Sequence, residues 1–344
     1  MATESGSLQI TTDQLLSVAQ TAESAGDMDR ALGFYRALAE VDPKNPLWPF
    51  NAIRLLRNAG REPEAVEALG QALKKWPRAQ SRPELAALVP ELSPGVEEIR
   101  NALGEDCPPD EELRRELVED DGKTDLIVVR GGRKAAVIVF TGLADRMVMP
   151  LPLFDRYLAE LDLSAIYVRD RKRIGFFNGV NSLGDDYDST LIAMKELLVD
   201  LGAMTVHTIG NSAGGIGAVS YGLDLRAKTV LAFSAPVAVT RAAADMDRRT
   251  AVFAERLLGP AVPAERRDLR ARAEAATGNT RIHLYYGEEM PEDRYHAATL
   301  EGVKGVELHP LQGLGGHGAL FRMANRHGLR PLMRELYGPA GQGQ

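Results

Sequence analysis

The chain has 344 residues, 44% hydrophobic and 26% charged, the balance of a globular protein with ample apolar material for a core. A formal charge of −7 with pI near 5.5 excludes the basic excess of a general nucleic-acid or anionic-membrane binder. A single cysteine, Cys107, excludes an intrachain disulfide and a thiolate metal cluster. The opening MATESGSLQI lacks the cationic and apolar parts of a signal peptide, no run approaches the roughly 18 apolar residues of a membrane span, and the expected location is the cytoplasm.

The first hundred residues read as helical and repetitive. GDMDRALGFYRALAEVDP at 26–43 aligns with GREPEAVEALGQALKKWP at 60–77, pairing Gly26 with Gly60, Ala31 with Ala65, Tyr35 with Leu69 and Pro43 with Pro77, each 34 residues apart. This pattern resembles tetratricopeptide repeats over residues 12–79, although the aromatic usual early in each first helix is missing. The resemblance implies helix pairs with glycine at the turn, alanine at the close crossing and proline closing the second helix. It also implies a protein partner or a homodimer docked through the repeats. A helical segment over 83–103 is expected to cap the stack, giving an all-α domain at 1–103. Because about three repeats are needed to bury a continuous core, the stack is expected to lean on the C-terminal domain or on a second chain. Residues 104–124, GEDCPPDEELRRELVEDDGKT, are acidic with a Pro-Pro pair and are expected to form a linker.

From 125 onward short apolar runs alternate with helix-length segments: DLIVVR, AAVIVFTG, SAIYVRD, MTVHTIG, TVLAFSAP, RIHLYYG and VELHPLQ. Such alternation predicts an α/β fold, a mostly parallel sheet with helices on both faces and ligands bound beyond the carboxyl ends of the strands. Gly210-Asn211-Ser212-Ala213-Gly214 fits G-x-S-x-G, with an apolar run before it and the small-residue segment GGIGAVSYGLDL behind it. In that context a serine is held on a tight strand-to-helix turn. A serine hydroxyl needs an adjacent base that is itself oriented by a carboxylate.

Of the six histidines, His207, His283 and His309 fall within strands, His327 lies in the terminal helical region, and His296 sits one helical turn beyond Asp293. His317, in the glycine loop of VELHPLQGLGGHGALF, follows the last strand and is the candidate base. The candidate acids follow RIHLYYG: Asp293 is favoured because it opens a helix, with Glu289 and then Glu292 as alternatives. Backbone N–H groups of Ala213 and of Leu143, in the loop after AAVIVFTG, are the candidate oxyanion donors.

Residues 125–338 resemble the α/β-hydrolase superfamily in carrying this elbow and in the chain order Ser…Asp…His. The resemblance implies Ser212 as nucleophile, His317 as base and acid, and Asp293 as its orienter. Asp293 stands six residues past Gly287, farther than the usual loop. The Ala- and Arg-rich stretch at 237–280 occupies the position of a small lid. The implied activity is that of a serine hydrolase, esterase or thioesterase, or an acyltransferase, acting on a small-molecule or acyl ester through an acyl-enzyme. The alternative is an interaction scaffold in which the repeats act and the catalytic domain, 125–344, is structural. No cofactor is expected: Gly313–Gly318 also satisfies G-x-G-x-x-G, but no second strand follows it. No metal-ligand spacing is seen. Arg169, Arg171, Lys172 and Arg173 either attract an anionic substrate or are matched by Asp170, Asp185 and Asp186.

Overall fold

The computed structural model describes residues 11–76, 96–247, 251–276 and 279–338. The chain divides into two compact units, Met1–Gly95 and Val96–Gln344.

Four helices make up the described part of the first unit: α1 (Thr12–Ser24), α2 (Met28–Val41), α3 (Leu47–Asn58) and α4 (Glu62–Lys75). Consecutive helices pack on one another around Ala31, Leu38, Phe50, Ile53 and Ala65, all buried. The internal period is structural as well as sequential, since α2 and α4 start and end 34 residues apart. The turns before them repeat the same hydrogen bonds, Asp27 N to Ala22 O and Arg61 N to Leu56 O, each 2.8–3.0 Å. Gly26 and Gly60 hold φ of 77° and 72°, a left-handed conformation that favours glycine.

The second unit is built on a seven-stranded sheet: β1 (Leu126–Val129), β2 (Ala135–Phe140), β3 (Ser164–Val168), β4 (Thr205–Asn211), β5 (Thr229–Phe233), β6 (Arg281–Gly287) and β7 (Val306–Leu311), in the order β1-β3-β2-β4-β5-β6-β7. All seven apolar runs form strands. Every pairing is parallel except that of β1 with β3. Alternation along each strand feeds two cores. Ile138, Phe140, Ile166, Val230 and Leu284 face one side, and Val137, Val139, Tyr167, Leu231 and Phe233 face the other. Helices α6 (Leu151–Glu160), α7 (Tyr187–Asp200) and α8 (Ala213–Asp224) connect the central strands; four short ones, α9 (Arg241–Met246), α10 (Ala251–Leu258), α11 (Ala264–Arg267) and α12 (Leu269–Ala275), lie between β5 and β6. After β6 come α13 (Pro291–Ala298), then α14 (Ala319–Asn325) and α15 (Leu329–Tyr337).

Near the start of this unit the boundaries differ from those expected. Helix α5 (Val96–Leu103) groups with the second unit and not with the first; there Ile99 and Leu103 join a core shared with Phe154, Tyr157 and Leu320. Residues 83–95, and Pro77, lie outside the described residues. Within the stretch expected as a linker, Asp106, Cys107 and Val118 are buried, whereas 121–124 are exposed. The cause is charge pairing that composition alone does not reveal. Arg115 grips Asp155 of α6 with two bonds of 2.7 Å and donates to Leu163 O at 2.6 Å, while Val118 N adds a bond to Asp155 at 2.8 Å. Asp155 is fully buried and also accepts from the Tyr167 hydroxyl, whose pKa burial pushes well above its ordinary value. Removing one partner of a buried ion pair leaves an uncompensated charge. Arg115→Ala is therefore expected to lower stability in urea unfolding by about 3–5 kcal/mol; a change within experimental error would show that the segment is only draped on the surface.

Candidate active site

Strand β4 runs into Ser212 and then directly into α8. Ser212 sits at φ 54° and ψ −128°, a backbone conformation that costs a non-glycine residue about 1–3 kcal/mol and persists only where its surroundings impose it. Here Ser212 N donates to Phe233 O of β5, and Gly215 N donates back to Ser212 O, both at 2.8 Å. Two glycines make the turn sterically possible. A Cβ at Gly210 would lie 2.2 Å from Gly214 O, and one at Gly214 would lie 2.1 Å from Phe140 O.

His317 lies between β7 and α14. Its Nε2 is 2.8 Å from Ser212 Oγ and its Nδ1 is 2.8 Å from Asp293 Oδ1. Since the carboxylate accepts, Nδ1 carries the proton and Nε2 offers its lone pair to the serine hydroxyl. The Asp293 side chain, in the first turn of α13, is 1% exposed and the His317 side chain 30%, so the carboxylate is shielded while the imidazole opens to solvent. Thus the structure brings together Ser212, His317 and Asp293 from three distant parts of the chain. Glu289 instead braces the histidine loop, accepting from Gly313 N at 3.1 Å; Glu292 is half-buried in α13.

The other histidines serve elsewhere. Burial pushes the His207 ring down to about 3, and it packs against Tyr337. His296 accepts from Ala238 N at 3.3 Å and lies 3.5 Å from Asp247, tying the segment after β5 to α13. His283 and His309 face each other across β6 and β7 at 3.1 Å. His327 is exposed in the turn before α15. Sequence reasoning missed Ser234, a buried residue at φ 46° after β5, which takes a bond from Ala319 N at the start of α14. Its only signal is the phrase FSAP at a strand end.

The loop after β2 folds back beside the serine: a Cβ on Gly142 would stand 3.7 Å from Ser212 Cβ. Asp145 N donates to Gly142 O at 2.9 Å, a turn with Leu143 as its first central residue, 41% exposed, so the turn itself does not use the Leu143 N–H. Ala213, the second expected donor, opens α8 directly behind Ser212. Asp145 holds φ 58°, and the cationic cluster after β3 fixes it there. Arg173 donates to its carboxylate at 2.7 and 3.0 Å, Arg171 at 2.7 Å, and Arg169 Nε reaches its carbonyl at 3.1 Å. Arg169 is itself buried against Asp120 and Thr124 O. Lys172 binds the carbonyls of Asn178 and Asp185, and the Asp170 carboxylate accepts from Ile174 N and Phe176 N. The arginines are therefore matched chiefly by Asp145, not by the acids nearest them in sequence, and the cluster supports the turn.

No family model and no curated protein matches this chain. Among solved structures it is similar to the Staphylococcus aureus fluorophosphonate-binding serine hydrolase F, at 16% identity and TM-score 0.41, over 63% of this chain and 89% of that one. The capsule O-acetyltransferase of Neisseria meningitidis serogroup A aligns at 14% identity and TM-score 0.43, over 61% and 90%. Est1E from Butyrivibrio proteoclasticus aligns at 11% and 0.43, over 65% and 99%. At such scores the likeness decides nothing about chemistry here.

Because Gly214 touches β2 while Gly316 has open space around its Cβ position, the two glycines respond differently to a methyl group. Gly214→Ala is expected to destabilise by about 1–3 kcal/mol or more, and Gly316→Ala by far less, in paired thermal unfolding. Equal effects would contradict the close approach at the elbow.

Proposed function

We propose that the protein is a serine hydrolase of the α/β-hydrolase type acting on carbonyl esters. The observation that carries this reading is the unbroken line Asp293–His317–Ser212, with both contacts at 2.8 Å. In this reading Ser212 Oγ attacks the carbonyl carbon as His317 Nε2 takes its proton. Asp293 stabilises the imidazolium that forms. The tetrahedral oxyanion lies against the backbone N–H groups of Ala213 and Leu143. His317 then returns the proton to the leaving alcohol or thiol, giving an acyl-Ser212 ester. Attack by water restores the serine and releases the acid; attack by an acceptor alcohol at the same step makes the enzyme an acyltransferase.

The helical unit belongs to the same reading as a tetratricopeptide-like module for a protein partner or a second copy, supported by the 34-residue recurrence of its turns. A cytoplasmic site of action is supported by the one cysteine, a buried free thiol; no described helix is long and apolar enough to cross a membrane.

Hydrolysis of p-nitrophenyl esters of increasing chain length tests the chemistry. Ser212→Ala is expected to fall to background, and Asp293→Asn to lose about 10⁴-fold in kcat, by analogy with other triads. Full activity in Ser212→Ala would refute the reading. The turn clamp makes a second prediction. Asp145→Asn weakens the hold on Leu143, so kcat should fall by about tenfold or more, short of the 10²–10³ lost with an oxyanion donor, while KM moves little. A rise in KM at constant kcat would place Asp145 in substrate binding instead.

A further inference from the structure

The outer edge of the sheet carries a cluster that the chemistry at Ser212 does not use. Register sets His283 of β6 opposite Glu307 of β7 and Tyr285 opposite His309, so alternation puts all four on one face. His283 is buried, with 5% exposure; the His309 and Glu307 side chains are 31% and 54% exposed. His283 Nδ1 lies 3.1 Å from His309 Nε2 and 3.5 Å from Glu307 Oε2, and the last two atoms are 3.9 Å apart. A point equidistant from three atoms so spaced is about 2.05 Å from each, within the roughly 2.0–2.2 Å that Zn²⁺ keeps from imidazole nitrogen and carboxylate oxygen.

We propose that His283 Nδ1, His309 Nε2 and Glu307 Oε2 form a binding site for a divalent cation of the Zn²⁺ class, with its remaining coordination open to solvent. Two imidazoles and one carboxylate suit such a borderline ion better than Mg²⁺ or Ca²⁺, which prefer all-oxygen sites. Burial holds both rings below their ordinary pKa, so their lone pairs are available at neutral pH. Without an ion the rings share a hydrogen bond. With one, each turns a lone pair to the metal and carries its proton on the far nitrogen. Tyr285 stacks on His309 at 4.3 Å and 8°, fixing the outer ring. His283 Nε2 is buried with no hydrogen-bond partner among the described residues. An acceptor there would orient the ligand and strengthen the site, so its lack predicts an affinity about 10–100-fold weaker than that of a site that has one. An ion here would pin the edge strand to β6. These are the two strands that lead into the segments carrying Asp293 and His317.

The untagged full chain, stripped with EDTA and dialysed, is titrated with ZnCl₂ by calorimetry, with Tm followed in parallel. One equivalent should bind and raise Tm. His309→Ala should abolish that binding, and Glu307→Gln should weaken it by at least about tenfold. His317→Ala should leave it intact, separating this cluster from the triad. Both ligand substitutions are at solvent-accessible positions, and circular dichroism checks that each variant folds. No binding up to about 1 mM Zn²⁺, or equal binding by wild type and His309→Ala, overturns the proposal. Loss of binding in His317→Ala alone does so as well, by moving the ion to the triad.

Discussion

Everything at this site depends on a left-handed backbone at Ser212. The conformation is unfavourable for a serine in isolation, and neighbouring strands hold it in place: Phe233 O fixes its N–H, and the backbone of β2 presses against Gly214. So held, the Ser212 hydroxyl stands at the end of β4 within hydrogen-bond reach of His317 on another loop.

The remaining parts converge from strands to one side of that turn and from the loop on the other. Beyond β6, a helix opening holds Asp293 buried; beyond β7, a glycine-rich loop gives His317 the freedom to reach over. Glu289 and Ser234 secure the two ends of that loop through Gly313 and Ala319. On the opposite flank, three arginines fix a single aspartate and with it the turn bearing Leu143. At this turn charge positions backbone. The same holds for Arg115 and Asp155, which stitch 104–124 to α6.

How much of this was legible in the sequence varied with the range of the interactions involved. The seven strands were, because apolar runs of the right length are a local signal. The antiparallel setting of β1 was not, since four residues carry no mark of direction and the pairing is with a strand some forty residues away. Local signals anticipate that Ser212, His317 and Asp293 meet, since glycines around the first two announce unusual backbone and Asp293 opens a helix. Glu289 and Glu292 compete with Asp293 in sequence; in the structure His317 Nδ1 lies 2.8 Å from Asp293 Oδ1. The partners of the arginines after β3 are not legible from nearby residues: Arg171 and Arg173 pair with Asp145, on the far side of a strand crossover, and Arg169 pairs with Asp120, rather than with Asp170, Asp185 or Asp186. The buried anchors of 104–124 are hidden for a similar reason: nothing nearby in sequence shows that Arg115 meets the buried Asp155. His283, Glu307 and His309 likewise carry no recognisable spacing and meet only through the register of two strands.

The central claim is that folding gives one serine a nucleophilic hydroxyl. Stoichiometric reaction with a fluorophosphonate, located by tandem mass spectrometry, measures that directly. The account predicts one adduct per chain, on Ser212, with labelling greatly slowed in His317→Ala. A protein that stays unmodified while fully folded, or one modified equally well with alanine at 212, would contradict it.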